Sequence, residues 1–398
     1  MRSALERRAL DRLHGRIPQA GPCSTFRRTS PVKGEGIGGL DAARLTAEAL
    51  VKRRHFCLLT SAFCLLAVGG APALAQTSSA VALYQGADRT QRLAEGAKKE
   101  GTVLIYTSAP PDDMAILAAA FEKKHGVKLQ VWRASSEKVV QRTVTEARAN
   151  RFEADIIETN GPDIEALHRE NLLQEVRSPY LADLIPGAIP PHREWLSMRL
   201  NIWVAAYNTN LVRKEELPRT YEDLAHPRWK GRLGIEGGDA NWFSGVVKEL
   251  GEAKGLKIFR DIVAGNGMSV RVGHTLLTNL VVAGEIPLAL TVYNYRVEQI
   301  KGGGAPIEWF IIPPTIARFQ GMGLARRAPR PHAAVLYFDF MLTDGQEMLL
   351  KRGFIPTSKS VSTPLNQFPM TLLDPKIALD EHDKWSGLFK EIILNPSR

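Results

Sequence analysis

The sequence predicts an α/β protein of two lobes, each a mixed sheet flanked by helices, with crossover strands joining them. Three observations predict it. From residue 100, short apolar runs rich in strand formers alternate with segments of helical periodicity, the pattern of a mostly parallel sheet covered by helices. A second series of the same kind begins after Trp203-Val204-Ala205-Ala206-Tyr207. After Pro313-Pro314 the chain turns back into a long apolar helix, so that the first lobe draws on both ends of the chain. The expected lobes are residues 76–205 plus 315–398 and residues 206–314.

In the first lobe, Thr102 to Tyr106 reads as a strand between Gly101 and Ser108. Pro110 and Pro111 suit a helix start, and Met114, Leu117, Ala118 and Phe121 recur at helical spacing until His125-Gly126. Lys128 to Trp132 reads as a strand and Ser136 to Ala149 as a helix. Ala154 to Ile157 is a third strand, closed by the turn Asn160-Gly161-Pro162 before another helix. In the second lobe Arg232 to Glu236 is a strand, Gly237-Gly238-Asp239 a turn and Asn241 to Leu250 a helix. Ser269 to Val272 is again a strand. Leu276, Leu277, Leu280 and Val281 give the next helix an apolar face, and Gly284 terminates it. Pro287 to Tyr293 is a strand. Ala333 to Leu350 reads as one long helix with Leu336, Phe340 and Met341 on its apolar side. Gly302-Gly303-Gly304 follows a helix rather than a strand and so lacks the context of a phosphate loop.

The formal charge of +10 invites a polyanion partner, but its distribution removes the invitation. Residues 1–75 hold 12 of the 52 Lys and Arg and 5 of the 42 acids, which leaves 40 basic against 37 acidic side chains, a net of +3. No nucleic acid is expected. The division at 75 follows a leader pattern: Lys52-Arg53-Arg54, an apolar run from Phe56 to Val68, and Ala73-Leu74-Ala75 as an A-x-A cleavage site. The run is shorter than the roughly 20 apolar residues of a membrane span. A signal peptide over 51–75 with cleavage after Ala75 is expected, and Arg53-Arg54 with Phe56 resembles a twin-arginine signal. Residues 1–50 are expected to be a non-native or disordered extension ahead of a start at Val51. Cys23, Cys57 and Cys64 all precede the cleavage site, so the mature chain has no cysteine to form a disulfide or act as a nucleophile.

The stretch Leu217-Pro218-Arg219-Thr220-Tyr221-Glu222-Asp223-Leu224, followed by His226-Pro227-Arg228-Trp229-Lys230-Gly231-Arg232, resembles a signature of the periplasmic solute-binding proteins of ABC importers, in their ferric-iron-binding branch. Ala283 to Pro287, Gly304 to Trp309 and Gly353 to Thr357 agree with it, in the right order over roughly residues 100–360. The resemblance implies the two-lobed type II periplasmic binding protein fold, a ligand in the cleft, and an inner-membrane permease and ATPase as partners. Iron-binding members hold iron with paired adjacent tyrosines, helped by a His and a Glu from the first lobe. Here the tyrosine position reads Tyr293-Asn294-Tyr295-Arg296, the place of the His reads Thr107-Ser108-Ala109-Pro110, and Glu158 stands out of register. Ferric iron favours anionic oxygen donors, and these positions supply few.

Ligands of such folds bind at the C-terminal ends of strands, near helix N-termini whose free amides attract anions. The candidate ligand contacts are therefore Ser108, Thr159, Asn160, Asp239, Trp242, Thr275, Tyr293 and Tyr295, with Tyr293 and Tyr295 as metal ligands if the ligand is iron. If the strand persists, Tyr293 and Tyr295 point the same way by its period of two. Asp239 also suits an N-cap, Trp242 suits core packing, and Thr275 is either a cap or an anion contact. No two histidines stand at metal-ligand spacing. The expected role is capture by hinge closure, without bond chemistry or a resident cofactor, by a periplasmic monomer. The expected ligand is ferric iron, alone or with an anion or chelator. A small anionic organic or phosphonate solute, or presentation of the ligand to a sensor, are the alternatives.

Overall fold

The computed structural model describes residues 78–363 and 369–396. The expected leader, the extension ahead of it and all three cysteines lie outside these residues. No helix among the described residues is long and apolar enough to cross a membrane.

The strands are β1 (Thr102–Thr107), β2 (Lys128–Arg133), β3 (Ile156–Asn160), β4 (Leu173–Gln174), β5 (Trp195–Asn208), β6 (Leu233–Glu236), β7 (Ser269–Arg271), β8 (Leu288–Tyr293), β9 (Ile307–Phe310), β10 (Ile316–Ala325), β11 (Ile355–Pro356) and β12 (Thr371–Leu372). Their main order is β2-β1-β3-β10-β5-β8-β6-β7. At one end β1 runs parallel to β2 and β3, and at the other β6 runs parallel to β7 and β8. These parallel sets are joined by antiparallel pairings of β5 and β10. Strand β5 is buried along all 14 residues. Its segment from Trp195 to Ile202 pairs with β10, and that from Trp203 to Asn208 pairs with β8 and β9. One strand thus serves both lobes, and any side chain near its midpoint reaches the space between them.

The expected elements recur with shifted ends. The third strand begins and ends later, at Ile156–Asn160, which brings Thr159 and Asn160 into the strand. The long C-terminal helix is two, Pro331–Leu342 and Asp344–Lys351. The break falls at Thr343 (φ −119°, ψ −100°), whose hydroxyl donates to the carbonyls of Asp339 and Phe340 and so competes with the helical ladder. Helical periodicity continues across this break, so the sequence did not show it. The C-terminal helix His382–Phe389 packs Trp385 and Phe389 on Phe243 of the helix Ala240–Glu249.

A buried carboxylate ties the first parallel set to the rest. Asp155, fully buried, accepts from the backbone of Leu104 in β1 (2.7 Å) and of Arg330 (2.8 Å), and from Arg330 Nε (2.6 Å). Burial pushes its carboxyl up to about 6, against the pull of those donors. A carboxyl whose folded pKa lies above its unfolded value stabilises the fold at low pH, and that stability is lost as pH rises through 6. Wild-type protein is therefore expected to lose up to about 3 kcal/mol relative to Asp155→Asn between pH 4 and 7, since each pKa unit is worth about 1.4 kcal/mol. Urea melts of both proteins across that range check it, and parallel curves would refute it.

Candidate functional site

The loops that follow β1, β3, β6, β7 and β8 meet β10 and the midpoint of β5. Ser108 follows β1, and its hydroxyl accepts from Gln320 Nε2 at 3.1 Å. It does not cap the next helix, whose N-cap position is Pro110. Gln320 in turn accepts from Asn201 Nδ2 at 3.2 Å. Asn160 ends β3, and its side chain caps the helix Gly161–Arg169 by accepting from Asp163 N at 3.1 Å. Thr159 is fully buried, and its hydroxyl has no partner. Thus Ser108, Thr159 and Asn160 lie together beside β10, and two of them already serve the fold.

Tyr293 and Tyr295 stand where β8 gives way to a helix. Strand β8 ends at Tyr293 and a helix starts at Asn294, so the period-two argument does not apply to Tyr295. The two rings nevertheless stack, 5.6 Å apart and 12° from parallel. Tyr295 also lies 4.1 Å from Phe354, and Arg199 sits over the far side of that ring at 4.6 Å. Gly353 precedes Phe354 at φ +82°, and a Cβ there would come within 3.4 Å of Tyr295 Cα. The stretch Gly353 to Thr357, noticed in the sequence as part of the resemblance, thus forms the seat of Tyr295.

The sequence reading missed Arg318. It donates from its guanidinium to the Tyr293 hydroxyl and lies 4.8 Å over the Trp203 ring. Its Nε is buried and has no partner, and the same holds for Nε of Arg199 and of Arg296. A buried donor without an acceptor costs free energy, so these three Nε atoms are candidates to meet acceptor oxygens of a ligand. Arg318 is the third residue of β10, with no sequence motif to flag it. Only the antiparallel register with β5, which sets Arg318 opposite Asn201, brings it to the cleft.

Burial raises the phenol pKa of Tyr293 well above 10 despite the Arg318 charge, and pushes that of Tyr295 up to about 12. Both phenols therefore hold their protons at neutral pH. Glu158, the acid expected out of register, is committed elsewhere: it accepts from Arg199 at 2.7 Å and from Thr107 at 2.8 Å.

Asp239 occupies the N-cap position of the helix Ala240–Glu249 but does not cap it. Its carboxylate turns inward, where Oδ1 accepts from Trp203 Nε1 at 3.1 Å and faces His274 Nε2 at 3.5 Å. Burial pushes its carboxyl up to about 6. The His274 ring lies 4.2 Å from that of Tyr293, so Asp239 does reach the tyrosine site. Trp242 does not. It is buried between Tyr221 and Phe259, which identifies the signature around Tyr221 as scaffold. Thr275 is exposed in the first turn of its helix, and no hydrogen bond of a cap involves it. Trp242→Ala is expected to cost about 3–5 kcal/mol of stability while leaving solute affinity unchanged, which melts and titrations measure side by side.

The description "bacterial extracellular solute-binding protein" is that of a family whose model matches residues 103–355, and the chain belongs to that family. It is 24% identical over 295 residues to iron uptake protein A1 of Synechocystis sp., covering 69% of this chain and 80% of that one. Among solved structures, the Trichodesmium protein in complex with iron and citrate superposes with a TM-score of 0.60 at 20% identity, covering 73% of this chain and 99% of that one. The periplasmic binding protein AfuA of Actinobacillus pleuropneumoniae, with fructose-6-phosphate bound, gives 0.64 at 21% identity, covering 75% and 100%. At these identities the structural likeness shows the fold, a type II periplasmic binding protein.

Proposed function

We propose that this chain captures an anionic, oxygen-rich solute between its lobes outside the cytoplasmic membrane and delivers it to the permease and ATPase of an ABC importer. The observation that carries the reading is the set of buried guanidinium donors without acceptors, with Arg318 reaching across to Tyr293. Guanidinium groups match carboxylate and phosphate oxygens in geometry as well as in charge. The lobe boundary falls in β5 and β10, with residues 206–314 in the second lobe and the C-terminal helix against it. Closing about those strands buries the solute.

Two solutes share this chemistry. Ferric iron carried by a carboxylate chelator is favoured by the stacked Tyr293 and Tyr295 and by the iron named for the relative and for one solved structure. Bare ferric iron fits less well, because each phenol is buried and protonated and one is bonded to a cation. An organic phosphate is favoured by the AfuA complex and by the departure of these residues from an adjacent tyrosine pair.

Calorimetric titration of the mature chain with ferric citrate, citrate alone, fructose-6-phosphate and ferric nitrilotriacetate separates them. Binding of ferric citrate with a tyrosinate charge-transfer colour supports the chelate, and colourless binding of the sugar phosphate supports the organic anion. Binding of none of the anions would defeat the proposal.

A further inference from the structure

Two clusters of metal-ligating side chains stand among the described residues, Glu165 with His168 and His192, and Glu236 with Asp239 and His274. In the first, internal bonds use the ligand atoms. His192 Nδ1 accepts from the backbone of Glu194 at 3.1 Å, so Nε2 carries the proton and faces Glu165 at 3.3 Å. Trp195 donates to the same Glu165 oxygen at 3.1 Å, and His168 Nδ1 bonds to Glu194 at 2.7 Å.

The second cluster is arranged differently. His274 Nδ1 lies 3.1 Å from the carbonyl oxygen of Thr291, which can only accept, so Nδ1 carries the proton. Nε2 faces the Asp239 carboxylate at 3.5 Å, longer than a good hydrogen bond. Asp239 is 3% exposed, and its Oδ2 has no partner. Glu236 is held behind the pair, where its oxygens accept from the backbones of Gly238 (2.6 Å) and Gly273 (2.8 Å). Those two bonds fix the loops that carry Asp239 and His274. One ligand atom from each of the three residues lies within 4.8 Å of the others. An imidazole whose other nitrogen donates to a backbone carbonyl is the usual outer support of a metal-bound histidine.

We propose that His274 Nε2 and the Asp239 carboxylate bind a divalent first-row transition-metal ion, with Glu236 supplying the third oxygen. Imidazole with carboxylates suits zinc or cobalt, and no cysteine is required. Asp239 and Glu236 together outweigh the neighbouring Arg318 by one negative charge, and a dication makes the site net positive towards an anion. The site goes beyond the solute reading and is tested with metal alone.

Chelator-stripped mature protein is titrated with Co2+, following the visible d–d bands and the heat of binding. Wild type is expected to bind one ion. His274→Gln and Asp239→Asn should weaken it by roughly 100-fold or more, beyond the 10–100-fold of losing an outer support. Asparagine keeps an oxygen for Trp203, and thermal melts confirm that both variants fold. If Asp239→Asn does not fold, the half-buried His274 position carries the test. Failure of the wild type to bind Co2+ overturns the proposal. So does binding that survives in His274→Gln, or that disappears in His168→Ala instead.

Discussion

Replacing Arg318 by alanine is expected to weaken solute binding by between roughly 30-fold and several thousand-fold, with little change in the melting temperature. Truncating one partner of a buried, charge-assisted hydrogen bond costs about 2–5 kcal/mol at an interface, and each 1.4 kcal/mol is tenfold. The fold loses little because Arg318 contributes one bond to Tyr293 and its contacts over Trp203 and Tyr293, while its Nε has no partner to lose. Lysine at 318 keeps the charge without the planar fork and should restore only part of the affinity. Titration of the three proteins with the same solute checks the order. Equal affinity in all three would remove Arg318 from the site.

Replacing Glu158 by alanine is expected to cost about 3–5 kcal/mol of folding stability, because it leaves the Arg199 guanidinium buried without its counter-charge. The two side chains are 7% and 4% exposed and meet at 2.7 Å. The consequence should reach the cleft. Arg199 lies over Phe354, which seats Tyr295, so an Arg199 freed to seek water disturbs the tyrosine pair as well. In an Arg199→Met background the same change should cost far less, since no buried charge is then stranded. Chemical denaturation of the single and double variants measures both values. Additive losses would show that the pair is not coupled.

The fold was legible because its signals are local. Alternating strand and helix periods and turn glycines such as Gly284, which ends its helix in the left-handed conformation, announced most elements between residues 100 and 310. The break at Thr343 was illegible because a hydroxyl-to-carbonyl bond, not a change of period, makes it. Of the candidate site, the sequence pointed to residues at strand ends, Ser108, Asn160, Asp239 and Tyr293, because strand ends are where such folds bind. It could not tell that Asp239 turns away from the helix it heads, nor that Trp242 turns into the core. It missed Arg318 and the facing of His274 with Asp239 because pairing across β5, β8 and β10 creates those contacts. No spacing along the chain encodes them.

Native mass spectrometry of the chain purified under non-denaturing conditions from cells that produce it tests the central claim most directly. The account predicts a bound mass that corresponds to an anionic solute, alone or with iron, and its loss in Arg318→Ala. A bare ferric ion without an anion, or a cationic solute held equally by wild type and Arg318→Ala, would contradict it.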